Sequence, residues 1–157
     1  MMAASEKVIN FLKNNNVDFE LMEHSAAYTA QEIAGKQHIP GRLVIKSVII
    51  KLDGKLVMCV LPAIHLVDFE VMRNLSGATD VRLATEEEIA ETFPDYEVGA
   101  EPPFGHLYGL ETYADKFLEQ DEYVAFNAGT HTDMIKIKRE EFMKLSKPTV
   151  AEFGVHI

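Results

Sequence analysis

Lys46 stands in the run Leu43-Val44-Ile45-Lys46-Ser47-Val48-Ile49-Ile50-Lys51-Leu52, whose other members are almost all apolar. Strand alternation puts Val44, Lys46, Val48 and Ile50 on one face and Leu43, Ile45, Ser47 and Ile49 on the other. Two apolar faces mark a strand covered on both sides. An ammonium there must find a partner, open into a cleft, lose its proton, or run its alkyl stem to a nearby edge. In a cleft it can clamp a phosphate or stabilise developing negative charge. A second feature is Gly99-Ala100-Glu101-Pro102-Pro103-Phe104-Gly105. Its prolines stiffen the backbone, and its glycines allow conformations or close approaches denied to other residues. Such a loop can aim N–H groups at a ligand oxygen, or it can be a rigid surface turn. The third feature is His131, in the turn Ala128-Gly129-Thr130-His131-Thr132-Asp133. From a turn between strands its ring can project over a sheet, where it would position a water, serve as general base, or be plain surface.

The elements that must position these residues follow from periodicity and punctuation. Ser5 caps a first helix with the stripe Val8, Phe11 and Leu12, ended by Asn14-Asn15-Asn16, and a short strand spans Asp18 to Met22. Thr29 and Glu32 form a capping box for a second helix from Ala30 to before Pro40-Gly41. The Lys46 strand, the turn Asp53-Gly54 and the strand Lys55 to Leu61 make the strongest hairpin signal and the expected centre of the sheet. Asp68 caps a helix ended by Ser76-Gly77, Val81 to Leu83 is a short strand, and Thr85 with Glu88 caps a helix to about Phe93. Pro94 to His106 is an irregular loop, Leu107 to Leu110 a strand, and Tyr113 to Leu118 a short helix. Strands Tyr123 to Asn127 and Met134 to Lys138 flank the His131 turn, and a last helix covers Arg139 to Leu145. This is an α+β arrangement, expected as one domain over residues 1–157.

Bulk properties narrow the function classes. A hydrophobic content of 47% with 25% charged residues describes a globular chain, neither disordered nor fibrous. No apolar run is long enough for a membrane span and the opening residues lack the order of a secretory signal, so the expected location is cytoplasmic. The one cysteine, Cys59, rules out an intrachain disulfide and reads as a small buried hydrophobe. His24, His38, His65, His106, His131 and His156 show no metal-ligand spacing, so neither metal nor cofactor is expected. A net charge of −10 argues against a broad nucleic-acid surface. The acidic run Glu86, Glu87, Glu88, Glu91, Asp95, Glu97 and Glu101 and the basic group Lys136, Lys138, Arg139, Lys144 and Lys147 read as solvated helix faces, leaving any nucleic-acid contact small and local.

The order and spacing of these features resemble the YbaK and proline-tRNA-synthetase-associated editing domain family. The matching stretches are Tyr28-Thr29-Ala30-Gln31-Glu32, Val44 to Val48, Val60-Leu61-Pro62-Ala63, Val81 to Thr85, Gly99 to Gly105, and Phe126-Asn127-Ala128-Gly129-Thr130-His131, which together cover nearly the whole chain. The resemblance implies a mixed, partly barrel-like β-sheet surrounded by helices, and deacylation of a mischarged tRNA. It puts the family's essential lysine on Lys46, its Gly-x-x-x-Pro loop on Gly99 and Pro103, and the histidine of the proline-synthetase type on His131. Ser47 takes a position that varies with specificity, although alternation turns it away from Lys46. Phe104, Gly105, Gly129, His24 and Thr29 complete the implied substrate-binding set. The turn Ala128 to His131 looks closer to the alanyl-tRNA(Pro) branch than to the cysteinyl-tRNA(Pro) branch.

On this reading the partner is the acceptor end of an aminoacyl-tRNA, with a synthetase or elongation factor assisting a weakly binding acidic chain. Water attacks the ester, Lys46 stabilises charge, N–H groups near Gly99 orient the carbonyl, and His131 positions the water or the substrate amine. Pocket volume sets the choice of amino acid. One rival reading is a non-catalytic amino-acid or aminoacyl-tRNA-binding module of the same fold; another is an unrelated enzyme using Lys46 as electrophile or phosphate clamp.

Overall fold

The computed structural model describes residues 6–23, 43–94 and 96–156. The expected helix from Ala30, together with His24 and Thr29, lies outside the described residues.

The organising unit is the hairpin of β2 (Ile45–Leu52) and β3 (Lys55–Pro62), paired from Ile45↔Pro62 to Leu52↔Lys55. Its two-residue turn has both central residues at positive φ, 48° at Asp53 and 88° at Gly54, the mirror-image turn whose twist suits antiparallel strands. The Asp53 carboxylate accepts the N–H groups of Thr79 (3.0 Å) and Asp80 (2.7 Å), fastening the turn to the chain entering β5 (Val81–Leu83). Around the hairpin a five-stranded sheet runs β5-β2-β3-β6-β9, with β6 at Glu111–Asp115 and β9 at Thr149–Ala151. β6 is parallel to both β3 and β9.

A second sheet orders β1 (Glu20–Glu23), β8 (Asp133–Lys138) and β7 (Tyr123–Asn127), all antiparallel. An isolated parallel bridge, Val44↔Ala125, joins this sheet to the front of β2 and gives the mixed, partly closed arrangement expected. A ribbon of β4 (His65–Val67) and β10 (Gly154–His156) completes the described strands. The described α-helices are α1 (Glu6–Asn14), α2 (Phe69–Ser76), α3 (Glu86–Thr92) and α4 (Arg139–Ser146). None is long and apolar enough to cross a membrane.

Local chemistry sets the helix ends as expected. Asp68 accepts from the N–H groups of Glu70 and Val71, Gly77 closes α2 at φ 75°, and Thr85 and Glu88 form a reciprocal capping box. Glu88 also binds Arg82 and Lys51, and these cations, Arg82 foremost, hold its carboxyl far below the usual range. Thus one lysine of β2, Lys51, has a partner built into the fold.

The region after the proline loop departs from expectation. Leu107 to Leu110 is not a strand: Gly105–Tyr108 is a 3-10 helix, closed when the N–H of Leu110 reaches the carbonyl of Gly105 at 2.9 Å. Tyr113 to Leu118 is not a helix: Thr112 to Asp115 lie buried in β6, and the 3-10 turn Lys116–Gln120 follows. Two parallel neighbours offer this short segment a full set of ladder bonds, and that long-range pairing overrides local preference. The same explanation covers β4, β9 and β10, three-residue strands too short to register as a pattern.

The two faces of β2 meet different surroundings. Ile45 and Ile49 join a core with Phe104, Phe126, Ala128, Phe142, Val8 and Leu12. Ile50 and Leu52 join Leu61, Met72 and Phe153. At the start of β2, Val44 packs with Ala125, Met134, Met22 and Ala63. Cys59 is fully buried and its thiol is pushed up to about 12 by loss of solvent, which makes it an inert core residue.

Candidate functional site

The proline loop and the His131 turn are one hydrogen-bonded body. Glu97 donates its N–H to the carbonyl of Gly129, and Gly129 donates to the carbonyl of Ala100, both at 2.9 Å. The N–H of His131 donates to the Glu97 carboxylate at 2.6 Å. Thr130, buried, donates to Asp133 (2.6 Å) and accepts from its N–H (3.1 Å), which tightens the turn beneath the histidine. The bonds between loop and turn bring together residues about thirty positions apart in the chain, which a reading of local pattern could not do.

His131 Nε2 lies 2.8 Å from the carbonyl oxygen of Val98. A carbonyl can only accept, so Nε2 carries the hydrogen. Neutral His131 therefore presents Nδ1 as a bare lone pair, the form required of a base.

Gly99 adopts φ 92°, and a Cβ there would stand 3.3 Å from His131 Cε1 and 3.6 Å from Nε2. The position disfavours a side chain on two grounds, its left-handed backbone and a tight contact with the imidazole. Gly99→Ala is expected to lose roughly 1–2 kcal/mol in denaturant unfolding, the cost of an L-residue in left-handed backbone. It should also displace the ring, read as a shift of the His131 Nε2 resonance. An unchanged midpoint and resonance would show that the loop tolerates a side chain.

Three of the loop's N–H groups are already engaged. Gly99 donates to the Glu101 carboxylate at 2.6 Å, Ala100 to the carbonyl of Glu97 at 3.0 Å, and Phe104 to that of Pro102 at 2.9 Å. The expectation that Gly99 offers its N–H outward is therefore not met in this structure. Glu101 is 4% exposed. Burial raises its pKa, opposed by N–H groups of the loop and by the nearby His131. Glu97 and Glu101 are thus buttresses of the loop rather than part of a solvated face, and the acidic run concealed them. Two glutamates bracketing Gly99 were the available signal.

Pro103, Phe104 and Gly105 are all buried. Phe104 is 0% exposed and meets the rings of Phe11, Phe126 and Phe142 at 5.4, 5.6 and 5.8 Å between centroids. A Cβ on Gly105 would come within 2.5 Å of Thr112 Oγ1. Both residues anchor the loop in the core rather than forming an open wall. Gly129, also buried, acts through its backbone, holding the loop with both N–H and carbonyl.

Lys46 is half-buried, and burial lowers its pKa. Among the described residues its ammonium has no hydrogen-bond or ion-pair partner, and none of its bonds reaches His131 or the loop. Its link to them is through register. The bridge Val44↔Ala125 is parallel, and Lys46 and Asn127 each stand two residues beyond it, Asn127 at the end of β7 that leads into the His131 turn. Ser47 faces the other way, with Ile45 and Ile49, and its Oγ is buried without a partner. Among the described residues no three His, Cys, Asp or Glu side chains converge as metal ligands.

Three comparisons with known proteins bear on this arrangement. Residues 24–145 match the model of the family described as "Aminoacyl-tRNA editing domain". The chain is 34% identical over 118 residues to the proline–tRNA ligase of Bacillus pumilus (strain SAFR-032), covering 73% of this chain and 20% of the ligase, so it spans about a fifth of that relative. It is 24% identical over 153 residues to the multifunctional Ser/Thr-tRNA deacylase ProXp-y of Escherichia coli (strain K12), covering 94% of this chain and 91% of that protein. The fold matches the crystal structure of a candidate trans-editing enzyme for prolyl tRNA synthetase with a TM-score of 0.84 at 21% identity, covering 98% of this chain and 99% of the other. The chain belongs to the aminoacyl-tRNA editing domain family.

Proposed function

We propose that this domain acts in trans as an aminoacyl-tRNA deacylase, hydrolysing the ester between a small amino acid and the terminal ribose of a tRNA, with alanine on tRNA(Pro) as its substrate. The observation that carries the reading is His131: its Nε2 is committed to Val98, leaving Nδ1 as the basic atom, while Gly99 supplies a wall with no side chain against the ring. Lys46 supplies the charge. Its ammonium is half-buried and has no counter-ion among the described residues, so it is available to a negative group.

In the proposed reaction a water gives a proton to His131 Nδ1 as its oxygen bonds to the ester carbonyl carbon. Negative charge gathers on the former carbonyl oxygen, where Lys46 stabilises it. Collapse breaks the bond to the ribose oxygen, which takes the proton back from His131. The products are free amino acid and uncharged tRNA. With its N–H turned inward to Glu101, Gly99 contributes shape, and Pro103 contributes stiffness. Lys136 and Lys138 follow Met134 by alternation on the face that carries Asn127, so they offer local positive charge to acceptor-end phosphates despite the net charge of −10.

The test is a panel of tRNAs charged with alanine, serine, threonine and cysteine, assayed with the wild-type chain and with His131→Ala. Hydrolysis by the wild type, reduced about 10²–10⁴-fold by the variant, is the result expected for loss of a general base. Binding without hydrolysis across the panel would make the chain a recognition module. Identical kinetics and selectivity in the variant would remove His131 from the reaction.

A further inference from the structure

We infer that Asn127 is the positioning residue for Lys46: its side-chain amide oxygen, unbonded in this structure, is the acceptor that the lysine ammonium takes up on turning toward it; this rests on the reading of Lys46 given above. Three observations converge on the pair. First, the two residues share a face. Asn127 lies opposite Met134 in the β7–β8 ladder, and Met134 lies opposite Met22 in the next pairing, so all three side chains stand on one side of that sheet. Met134 and Met22 pack with Val44 and Ala125, the two residues that bridge the sheets. Two residues beyond each bridge partner, on the same face, come Lys46 and Asn127.

Second, each lacks a partner among the described residues. Asn127 Oδ1 is buried without a hydrogen bond, a state that ordinarily costs stability and therefore calls for a reason. Third, the reach suits the pair. Bridged strands stand about 5 Å apart, and the four-carbon lysine stem is longer than that gap.

The charged and titratable groups around the pair can be named. On β3, Lys46 is opposite Leu61, and Cys59 is two pairs along, opposite Val48. On the three-stranded sheet the same face carries Tyr123, Lys136, Lys138 and Glu20 toward the far end from Asn127. His131, Glu97 and Glu101 lie in the turn and loop beyond β7. None of these makes a hydrogen bond or ion pair with Lys46, which leaves the neutral amide as its acceptor.

The experiment follows the Lys46 side chain directly, by NMR titration of the wild-type chain, Asn127→Ala and Asn127→Asp with isotope-labelled lysine. An acceptor favours the charged amine, so removing it should lower the Lys46 midpoint by about 1 pH unit, and a carboxylate in its place should raise it. The alkaline limb of kcat/KM on the best mischarged tRNA should move in the same two directions. A contact that lifts the Lys46 midpoint stabilises the protonated folded chain, so Asn127→Ala should unfold at a somewhat lower denaturant concentration than the wild type at pH 7, and the difference should fade in the alkaline range where the amine is neutral. Unmoved Lys46 midpoints in both variants would overturn the inference, as would a loss of stability in Asn127→Ala that persists undiminished in the alkaline range, which would make the amide a structural group independent of the lysine. The titration needs no turnover, so a chain that hydrolyses nothing but shows the two opposed shifts keeps this contact and loses only the deacylase reading.

Discussion

Replacing Lys46 by methionine is expected to reduce deacylation at least 10²–10³-fold, roughly the loss seen when a transition-state charge stabiliser is removed, while leaving the fold as stable as before or more so. Methionine keeps most of the stem and adds no charge, so packing between the two cores of this face is retained. The stability argument comes from the direction in which burial moves the lysine. In the folded chain its pKa lies below the ordinary value of 10.5, so folding disfavours the protonated form. At neutral pH, below both the folded and unfolded values, the wild type carries that penalty in full. The penalty shrinks as pH rises through the folded value and is gone above about 10.5. Denaturant unfolding should accordingly show the methionine variant equal or superior at pH 7, with the wild type gaining on it in the alkaline range. Such a pairing, inactive but not destabilised, is the signature of a residue kept for chemistry. Wild-type turnover in the variant would take Lys46 out of the mechanism, and a clear loss of stability at pH 7 would show that the ammonium is structurally partnered.

Phe104→Ala is the substitution expected to cost most in stability, about 3–5 kcal/mol by the behaviour of buried aromatic residues elsewhere. That is a large part of the 5–15 kcal/mol typical of a whole domain. The ring is wholly enclosed and touches Phe11 from α1, Phe126 from β7 and Phe142 from α4, so its removal opens a cavity where three elements meet the loop. Phe104→Leu separates packing from recognition. If the ring serves the core, leucine should lose less stability and leave the preference among alanyl-, seryl-, threonyl- and cysteinyl-tRNA as it was. A changed preference at undiminished stability would return Phe104 to the substrate pocket.

Much of the frame was legible because it rests on short-range chemistry. The Asp53-Gly54 hairpin, the Asp68 cap, the Thr85 and Glu88 capping box and the Tyr123–Asn127 strand depend on residues a few positions apart, and each formed as its neighbours dictated. Elements held by distant partners are not legible in this way: β6 stands where local pattern points to a helix from Tyr113, and β4, β9 and β10 carry no local signature. Their pairing energy comes from strands far away in the chain, which no local window contains.

For the site the division is similar. That a lysine in an apolar strand must mean something follows from the sequence alone, because an ammonium between two hydrophobic faces is costly wherever the strand lies. Membership of the editing-domain family was likewise readable from the order of its stretches. Only the tertiary structure decided what the neighbouring residues do: Gly99 turned its N–H inward to Glu101, Phe104 went to the core, His131 received its tautomer from Val98, and Val44 bridged to Ala125, two residues before Lys46 and Asn127. Each of these depends on which atom a side chain meets across the fold, and hydrogen bonds a few ångströms long are set by that meeting rather than by residue type.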